Sequence, residues 1–258
     1  MSDTAFIFLL LPSLFFGIML FVEIGRRLGT RRIVEETERE RVVMTTVEAA
    51  IYAWLGLMVA FTFSGAATRF EARRTLTVQE ANAIGTAYLR LNLLPATAQP
   101  ALRQKFRQYT ETRIAVYRVL PDIGASNAQE AQATALQKEI WTDAVTALKD
   151  AQPESSLLLL PALNNMIDIT TERAIILKTH TPPIVLGTLL VLSMVCSLLI
   201  GNGLSRKPTF SVLLHTIGFA VVFTVTMYVI LDLDHPRVGL IRLDYADQAL
   251  TDVLAGMK

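Results

Sequence analysis

One uninterrupted helical stretch, from Val47 to Leu94, constrains the fold of this chain more than any other feature. It opens with an uncharged segment, Ala49 to Thr68, which is long enough to cross a bilayer. It then continues as a charged amphipathic sequence, and the next proline is Pro95. At 1.5 Å per residue the stretch measures about 70 Å, whereas the hydrocarbon core is about 30 Å thick. We therefore expect one helix that starts in a membrane and projects about 40 Å into water.

The composition favours a membrane protein over a soluble one. Of the 258 residues, 52% are hydrophobic and 18% are charged. The net charge of +1 comes from interleaved acids and bases, which argues against nucleic acid as a partner. The single cysteine, Cys196, lies in an apolar segment and cannot form an internal disulfide. The sequence lacks catalytic and metal-binding motifs, so we expect no enzyme activity, cofactor or metal.

Three further apolar segments accompany the central one, and they divide the chain into four parts. We predict an all-α membrane protein with four transmembrane helices and a helical bundle inserted between the second and third. The second helix is expected to continue into the bundle. The predicted parts are transmembrane helices 1 and 2 with a short basic loop (1–67), the extramembrane bundle (68–181), transmembrane helices 3 and 4 (182–232) and an amphipathic tail (233–258). Within the bundle, Ser126 and Gln129 form a capping box that predicts a helix start.

Positive charge in the two short loops indicates how the chain crosses the membrane. The first loop carries six arginines and the second carries Arg206 and Lys207, so we expect both to be cytoplasmic. The bundle then lies outside, in the periplasm of a multi-pass bacterial inner-membrane protein. Basic residues also flank the membrane on the bundle side, so the numbers of positive residues on the two sides are nearly equal. These flanking residues are Arg69, Arg73, Arg74, Arg173 and Lys178.

The membrane half of the central helix has three faces when it is projected at 100° per residue. Small residues every fourth position, Gly56, Ala60 and Ser64, predict a face for helix packing. A bulky face with Trp54, Leu57, Met58 and Phe61 suits lipid. The third face would form a pore with polar mouths if several copies surrounded an axis; its residues are Glu48, Tyr52, Leu55, Val59, Thr62, Phe63 and Ala66. Alternatively, this third face packs on the other membrane helices of the same chain.

Two polar groups are the remaining site candidates. Asn164, Asp168 and Glu172 share a helix face and could meet Arg69, Arg73, Glu80 and Asn82 of the central helix. This group predicts either an ion site of oxygen ligands or a seam of salt bridges between the helices. Asp232, Asp234 and His235 follow the fourth membrane helix. They would lie at a pore mouth, or they simply end the helix at the water surface.

Several blocks of sequence resemble the bacterial bestrophin-like domain family. They are Phe61-Thr-Phe-Ser-Gly-Ala-Ala-Thr-Arg-Phe-Glu-Ala-Arg-Arg74, Gln79-Glu-Ala-Asn-Ala-Ile-Gly-Thr-Ala-Tyr-Leu-Arg90, Leu93-Leu-Pro95, Pro161-Ala-Leu-Asn-Asn-Met-Ile-Asp168 and Asp232-Leu-Asp-His-Pro-Arg-Val-Gly-Leu-Ile-Arg242. The resemblance covers nearly the whole chain. It implies a distant similarity to bestrophins, which are pentameric anion channels whose second membrane helix forms an apolar neck. The resemblance implies that Leu55, Val59 and Phe63 would form the neck in this chain. The calcium-binding acidic cluster of animal bestrophins has no counterpart in this sequence.

Two functions from different classes fit these observations. The first is an oligomeric ion channel or channel-like protein whose second transmembrane helix lines the pore. Its partners would be membrane lipid, further copies of the chain and small inorganic ions. The second is a membrane-anchored sensor or scaffold whose bundle binds a partner without conducting ions. The oligomeric state separates the two.

Overall fold

The computed structural model describes residues 3–31, 38–119, 122–204, 210–236 and 239–257. These described residues are helical, and no strand occurs among them. The α-helices are α1 (Asp3–Arg31), α2 (Glu38–Arg90), α3 (Gln99–Arg118), α4 (Ile123–Ala147), α5 (Pro153–Lys178), α6 (Pro183–Asn202), α7 (Phe210–Asp234) and α8 (Asp244–Gly256). Short 3-10 turns follow α2 at Leu91–Leu93 and α4 at Leu148–Asp150. The unbroken α2 confirms the predicted continuous helix up to the residues before Pro95.

The chain forms two compact units. The membrane unit contains Met1–Thr68 and His180–His235, and the bundle unit contains Arg69–Thr179 and Pro236–Lys258. Helix α2 contributes its first part to the membrane unit and its second part to the bundle unit. Three helical stretches among the described residues are long and apolar enough to cross a membrane: Glu38–Leu93, Pro153–Asn202 and Phe210–Asp234.

In the membrane unit, α1 packs closely on α6 through glycines. A Cβ atom on Gly25 would lie 2.0 Å from the carbonyl oxygen of Leu198, and one on Gly201 would lie 2.0 Å from that of Val22. Such contacts bring two backbones together where lipid removes the hydrophobic driving force between helices. The close packing inside this unit is therefore carried by α1 and α6.

The small-residue face predicted on α2 makes no such contact in the single chain. Gly56, Ala60 and Ser64 are all exposed, and no described atom lies within 4 Å of a Cβ placed on Gly56. If this face packs on a helix, that helix belongs to another copy. The predicted packing face, for which the sequence named no partner helix, therefore remains a prediction about contacts between chains.

The bundle unit has a single apolar core to which α2, α3, α4, α5 and α8 all contribute. Ile84, Phe106, Ile140 and Leu163 are fully buried in it. Leu250 of α8 is buried in the same core, and the Arg107 guanidinium donates a hydrogen bond to the carbonyl of Met257. The C-terminal amphipathic tail is therefore an integral part of the bundle.

The start of α4 differs from the capping box that the sequence predicted. Asp122 is the N-cap, and its carboxylate accepts a 3.0 Å hydrogen bond from the backbone N–H of Ala125. Ser126 instead lies inside the helix, where its hydroxyl donates to the carbonyl of Val116 on α3. Asp is as good an N-cap as Ser, and the helix begins at the earlier of the two. The predicted start at Ser126 is therefore wrong by one turn.

Candidate functional site

The residues of the predicted pore face differ widely in their exposure. Leu55, Thr62 and Ala66 are buried within the chain, and the Thr62 hydroxyl donates to the carbonyl of Met58. Glu48, Tyr52 and Val59 are half-buried, whereas Phe63 is exposed. Association with further copies removes accessible surface and adds none. Leu55, Thr62 and Ala66 are therefore already covered by other parts of the same chain.

Two half-buried members of that face, Tyr52 and Val59, line an apolar cleft in the membrane unit. The cleft has a volume of about 550 Å³ and lies between α2 and α7. Tyr52 and Val59 line it on α2, and Phe219 and Val222 line it on α7. Tyr52 and Val59 thus lie close to α7 of the same chain. The opposite side of α2 is uncovered in the single chain, and Ala53, Leu57 and Phe61 are exposed there.

In the bundle unit, the side chains that lie together are centred on Glu80, whose carboxylate is completely buried. Arg113 of α3 donates from Nε to one carboxylate oxygen at 2.5 Å, and Arg173 of α5 donates to the other. Tyr117 stacks beneath Arg173, with the guanidinium carbon 3.6 Å from the ring centroid, and accepts a hydrogen bond from Arg113. We call Glu80, Arg113, Tyr117 and Arg173 the buried ionic cluster.

The electrostatics of the cluster keep Glu80 ionised and Arg113 charged. Burial by itself raises the pKa of Glu80, but Arg113 and Arg173 outweigh burial, and the net pKa is below its usual value of 4.5. Burial lowers the pKa of Arg113, but Tyr117 and Glu80 raise it, and the net pKa is well above the usual value. Burial, and then the charge of Glu80, raise the pKa of the Tyr117 phenol. The phenol therefore stays neutral and can donate its hydrogen to Glu80.

Two partly exposed acids also contact the arginines of the cluster. Glu130 of α4 accepts from Arg113 at 2.8 Å, and Asp247 of α8 lies 3.4 Å from Arg173. Contacts of the cluster therefore link all five helices of the bundle. A buried ion pair of this kind contributes little net stability, but it leaves an uncompensated charge if one partner is removed.

Arg73 and Arg69, which the sequence grouped with Glu80, lie apart from the buried ionic cluster. The Arg73 side chain is buried and donates to the carbonyls of Ile176 (3.3 Å) and Thr179 (2.7 Å) at the end of α5. A cation at this position satisfies carbonyls that have no partner within the helix and complements the helix dipole. Arg69 is half-buried. Glu80 therefore lies in an ionic cluster, whereas Arg73 contacts the end of α5, and the seam that the sequence grouped around both residues remains a prediction.

The other predicted seam residues lie on an open groove between α2 and α5. Asn82, Asp168 and Glu172 line this groove, which has a volume of about 530 Å³, while Asn164 is exposed on α5. Within the described residues, no ion pair joins Asp168 or Glu172 to a cation of this chain. Among the residues that the structure describes, no group of three or more His, Cys, Asp or Glu side chains is placed to hold a metal ion. The predicted set therefore separates into a buried part and a solvated part.

The predicted pore-mouth residues are more enclosed than the end of a membrane helix requires. The carboxylates of Asp232 and Asp234 are almost completely buried. Asp234 accepts a 2.6 Å hydrogen bond from the backbone N–H of Thr181, just before α6. The His235 ring stacks on the ring of His180, with a centroid distance of 4.6 Å. These residues connect the end of α7 to the start of α6.

Sequence reasoning missed Arg113, Tyr117, Glu130 and Asp247. A signal for the first two was present, because Arg113 and Tyr117 are separated by four residues on the apolar side of α3. A charge on the buried side of a helix normally requires an opposite charge nearby. The acid that pairs with Arg113 is Glu80, which is 33 residues away along the chain. Helix periodicity carries no information about such a distant contact.

The long apolar helices, the glycine contacts of α1 and α6 and the helical bundle define an integral membrane protein of the all-α class. The bestrophin-like domain family matches residues 14–247 of the chain, and the chain belongs to that family. A comparison with curated proteins gives no match.

Solved structures resemble this chain in fold. Two single-residue variants of a bacterial bestrophin homologue from Klebsiella pneumoniae are each 13% identical to it, with TM-scores of 0.69 and 0.67. The first alignment covers 95% of this chain and 98% of the other, and the second covers 99% of both. A further membrane protein structure is 12% identical, has a TM-score of 0.70 and aligns over 100% of this chain and 99% of its own. At these identities the likeness concerns the fold.

Proposed function

We propose that the protein is a bestrophin-like ion channel, assembled from several copies of this chain with four transmembrane helices each. Family membership and the fold shared with bestrophin homologues support a channel-like membrane protein. Its partners are membrane lipid, further copies of the chain and small inorganic ions. Helix α2 lines the pore, and the face that lines it is the one left exposed in the single chain.

The observation that carries this proposal is the low burial of α2. In the apolar 18-residue segment of α2, 6% is buried within the chain, whereas 28% is buried in the corresponding segment of each of the other two candidate spans. A helix that surrounds a central axis with its copies must keep such an uncovered face. Leu57 and Phe61 are 44% and 66% exposed, and they are four residues apart on that face. We assign the apolar constriction of the pore to these two side chains.

Two phenylalanines on opposite sides of α2 provide a matched test. At 100° per residue, Phe61 and Phe63 are about 160° apart on a helical projection that places Phe61 on the exposed face and Phe63 near the predicted neck. The test measures ion flux into liposomes for Phe61→Ala and Phe63→Ala. We expect Phe61→Ala to increase flux by removing bulk from the constriction, and Phe63→Ala to leave it near wild type. The reverse result would return the pore to the face of Leu55 and Val59.

The second candidate function is a membrane-anchored sensor or scaffold that does not conduct. The open groove between α2 and α5 favours it, because Asp168, Glu172 and Asn82 are available there to a ligand. A purified monomer or dimer without flux at any voltage would select this function over the channel. A closed ring of copies with flux would reject it.

We also propose that the bundle unit lies on the periplasmic side of a bacterial inner membrane. The arginines and lysine of the two short loops support this orientation. A reporter fused after Lys258 tests it, because the C-terminus follows the bundle. Periplasmic reporter activity is expected, and cytoplasmic activity would reverse the orientation.

A further inference from the structure

The cleft between α2 and α7 offers a ligand mainly apolar contacts. Its volume of about 550 Å³ is within the range of about 300–1,000 Å³ that is usual for small-molecule pockets. Of the described residues that line it, Tyr52 and Thr226 carry polar side chains. The Thr226 hydroxyl donates a 2.8 Å hydrogen bond to the carbonyl of Val222, so its hydrogen is used within α7. Away from Tyr52, the cleft therefore suits a hydrocarbon group.

The α2 wall of the cleft begins close to a membrane surface. Glu48 is the last charged residue before the uncharged segment of α2, and Tyr52 follows it by one helical turn. Tyrosine is enriched at the level of the lipid headgroups, because its ring is apolar and its hydroxyl is polar. From Tyr52 to Val59 the wall extends about 10 Å along the helix, at 1.5 Å per residue. The cleft thus runs from the headgroup level into the hydrocarbon core, which is the direction of an acyl chain.

The α7 wall begins at the same membrane surface. The backbone of Gly25 near the end of α1 meets that of Leu198 near the end of α6, so these two helices end on the same side. Helix α2 follows α1 in the chain, and α7 follows α6, so both cleft helices start on that side. Gly218, the first residue of the α7 wall, therefore lies toward the same surface as Tyr52.

Two glycines leave space in the cleft that the chain itself does not fill. Gly56 lines it on α2, and Gly218 lines it on α7. No described atom lies within 4 Å of a Cβ placed on either residue. A larger side chain at these positions would therefore occupy the cleft without first meeting another part of the chain.

The position of the cleft on α2 favours lipid over a second copy as the occupant, and this step rests on the proposed function. At 100° per residue, Val59 and Tyr52 lie about 160° and 180° from Phe61. In a channel whose α2 turns Phe61 toward the axis, the cleft is on the side of α2 that points away from the axis. Copies arranged around the axis meet beside that helix, so the side away from the axis is left to the chain's own helices and to lipid.

We propose that the cleft between α2 and α7 binds one acyl chain of a phospholipid, with the lipid headgroup at the level of Tyr52. The acyl chain fills the space beside Gly56 and Gly218 and completes the apolar packing between the two helices. A bound phospholipid is thereby a structural part of the membrane unit.

Counting the phospholipid that stays bound to the whole protein tests the proposal. The protein is reconstituted into vesicles of dioleoyl phosphatidylglycerol, extracted again in mild detergent and measured by native mass spectrometry. Gly218→Leu fills the cleft from its open side, and Val222→Trp fills it from a position that is 68% exposed and tolerates bulk. Gly187→Leu on α6 is the matched control, because a Cβ there also meets nothing within 4 Å and Gly187 does not line the cleft.

We expect one phospholipid per chain in the wild type and in Gly187→Leu, and at least tenfold less in both cleft variants. A wild type that retains no phospholipid, or cleft variants that retain as much as the control, would overturn the proposal. Cleft variants that separate into smaller assemblies while the control stays intact would identify a second copy as the occupant and would also overturn it. Ion flux is measured separately, and retained phospholipid without flux would contradict the channel but not the lipid site.

Discussion

Replacing Glu80 by Gln tests the buried ionic cluster, because it removes the one fully buried negative charge between two arginines. Removal of one partner of a buried ion pair costs about 3–5 kcal/mol, since the other charge is left uncompensated. Glu130 and Asp247 still contact the two guanidiniums, so the lower end of that range, about 3 kcal/mol, applies. For a protein of this size 1 kcal/mol corresponds to about 2–4 °C in Tm, which gives a decrease of about 6–12 °C.

The assay is thermal unfolding in detergent, followed by the loss of helical circular dichroism at one fixed heating rate. A fixed rate is needed because unfolding of such proteins is often irreversible. Glu71→Gln on the same helix is the matched control, because its pair with Arg74 is exposed and contributes about 0–1 kcal/mol. If Glu80→Gln unfolded within about 2 °C of wild type, the cluster would not be the buried charge network described above.

Three further predictions concern the same two units. Below about pH 4.5 the wild type should lose the stability that ionised Glu80 contributes. That contribution is present above the unfolded pKa and is lost as the pH falls through the lowered folded pKa. When Tm is measured against pH in acid, Glu80→Gln should lack this loss. Gly201→Ala should destabilise the contact of α6 with α1 by about 1–3 kcal/mol or more, whereas Gly187→Ala on the same helix meets nothing within 4 Å and should be near neutral in the same melts. Leu250→Ala should cost about 2–5 kcal/mol, and Leu240→Ala, at a site that is 83% exposed, should cost little; equal melting temperatures for this pair would contradict the packing of α8 in the core.

Helix periodicity and the positions of proline predicted most of the helices. The continuity of α2 followed from the absence of a breaker before Pro95, and its observed end at Arg90 agrees. The error at Ser126 arose because two good capping residues lie four positions apart, and local sequence does not say which one accepts from the helix.

The faces of α2 illustrate what periodicity leaves open. A projection groups the residues of a helix into faces, but it carries no information on which face meets the chain's own helices. Gly56 was predicted to pack and is exposed, while Leu55, one position away, is buried. That choice depends on α7, whose residues are more than 150 positions further along the chain. The partners of Glu80 were missed for the same reason, because they come from two other helices, α3 and α5.

The central claim is that the exposed face of α2 lines a water-filled pore, and thiol accessibility tests it most directly. Cys196, the only cysteine, is buried, so the wild type should be insensitive to a charged, membrane-impermeant thiol reagent. The measurement is ion flux into liposomes by the Phe61→Cys variant before and after the reagent. We expect the reagent to block the flux of Phe61→Cys and to leave the wild type unchanged. Flux that the reagent leaves intact, or liposomes that show no flux before it is added, would contradict the claim.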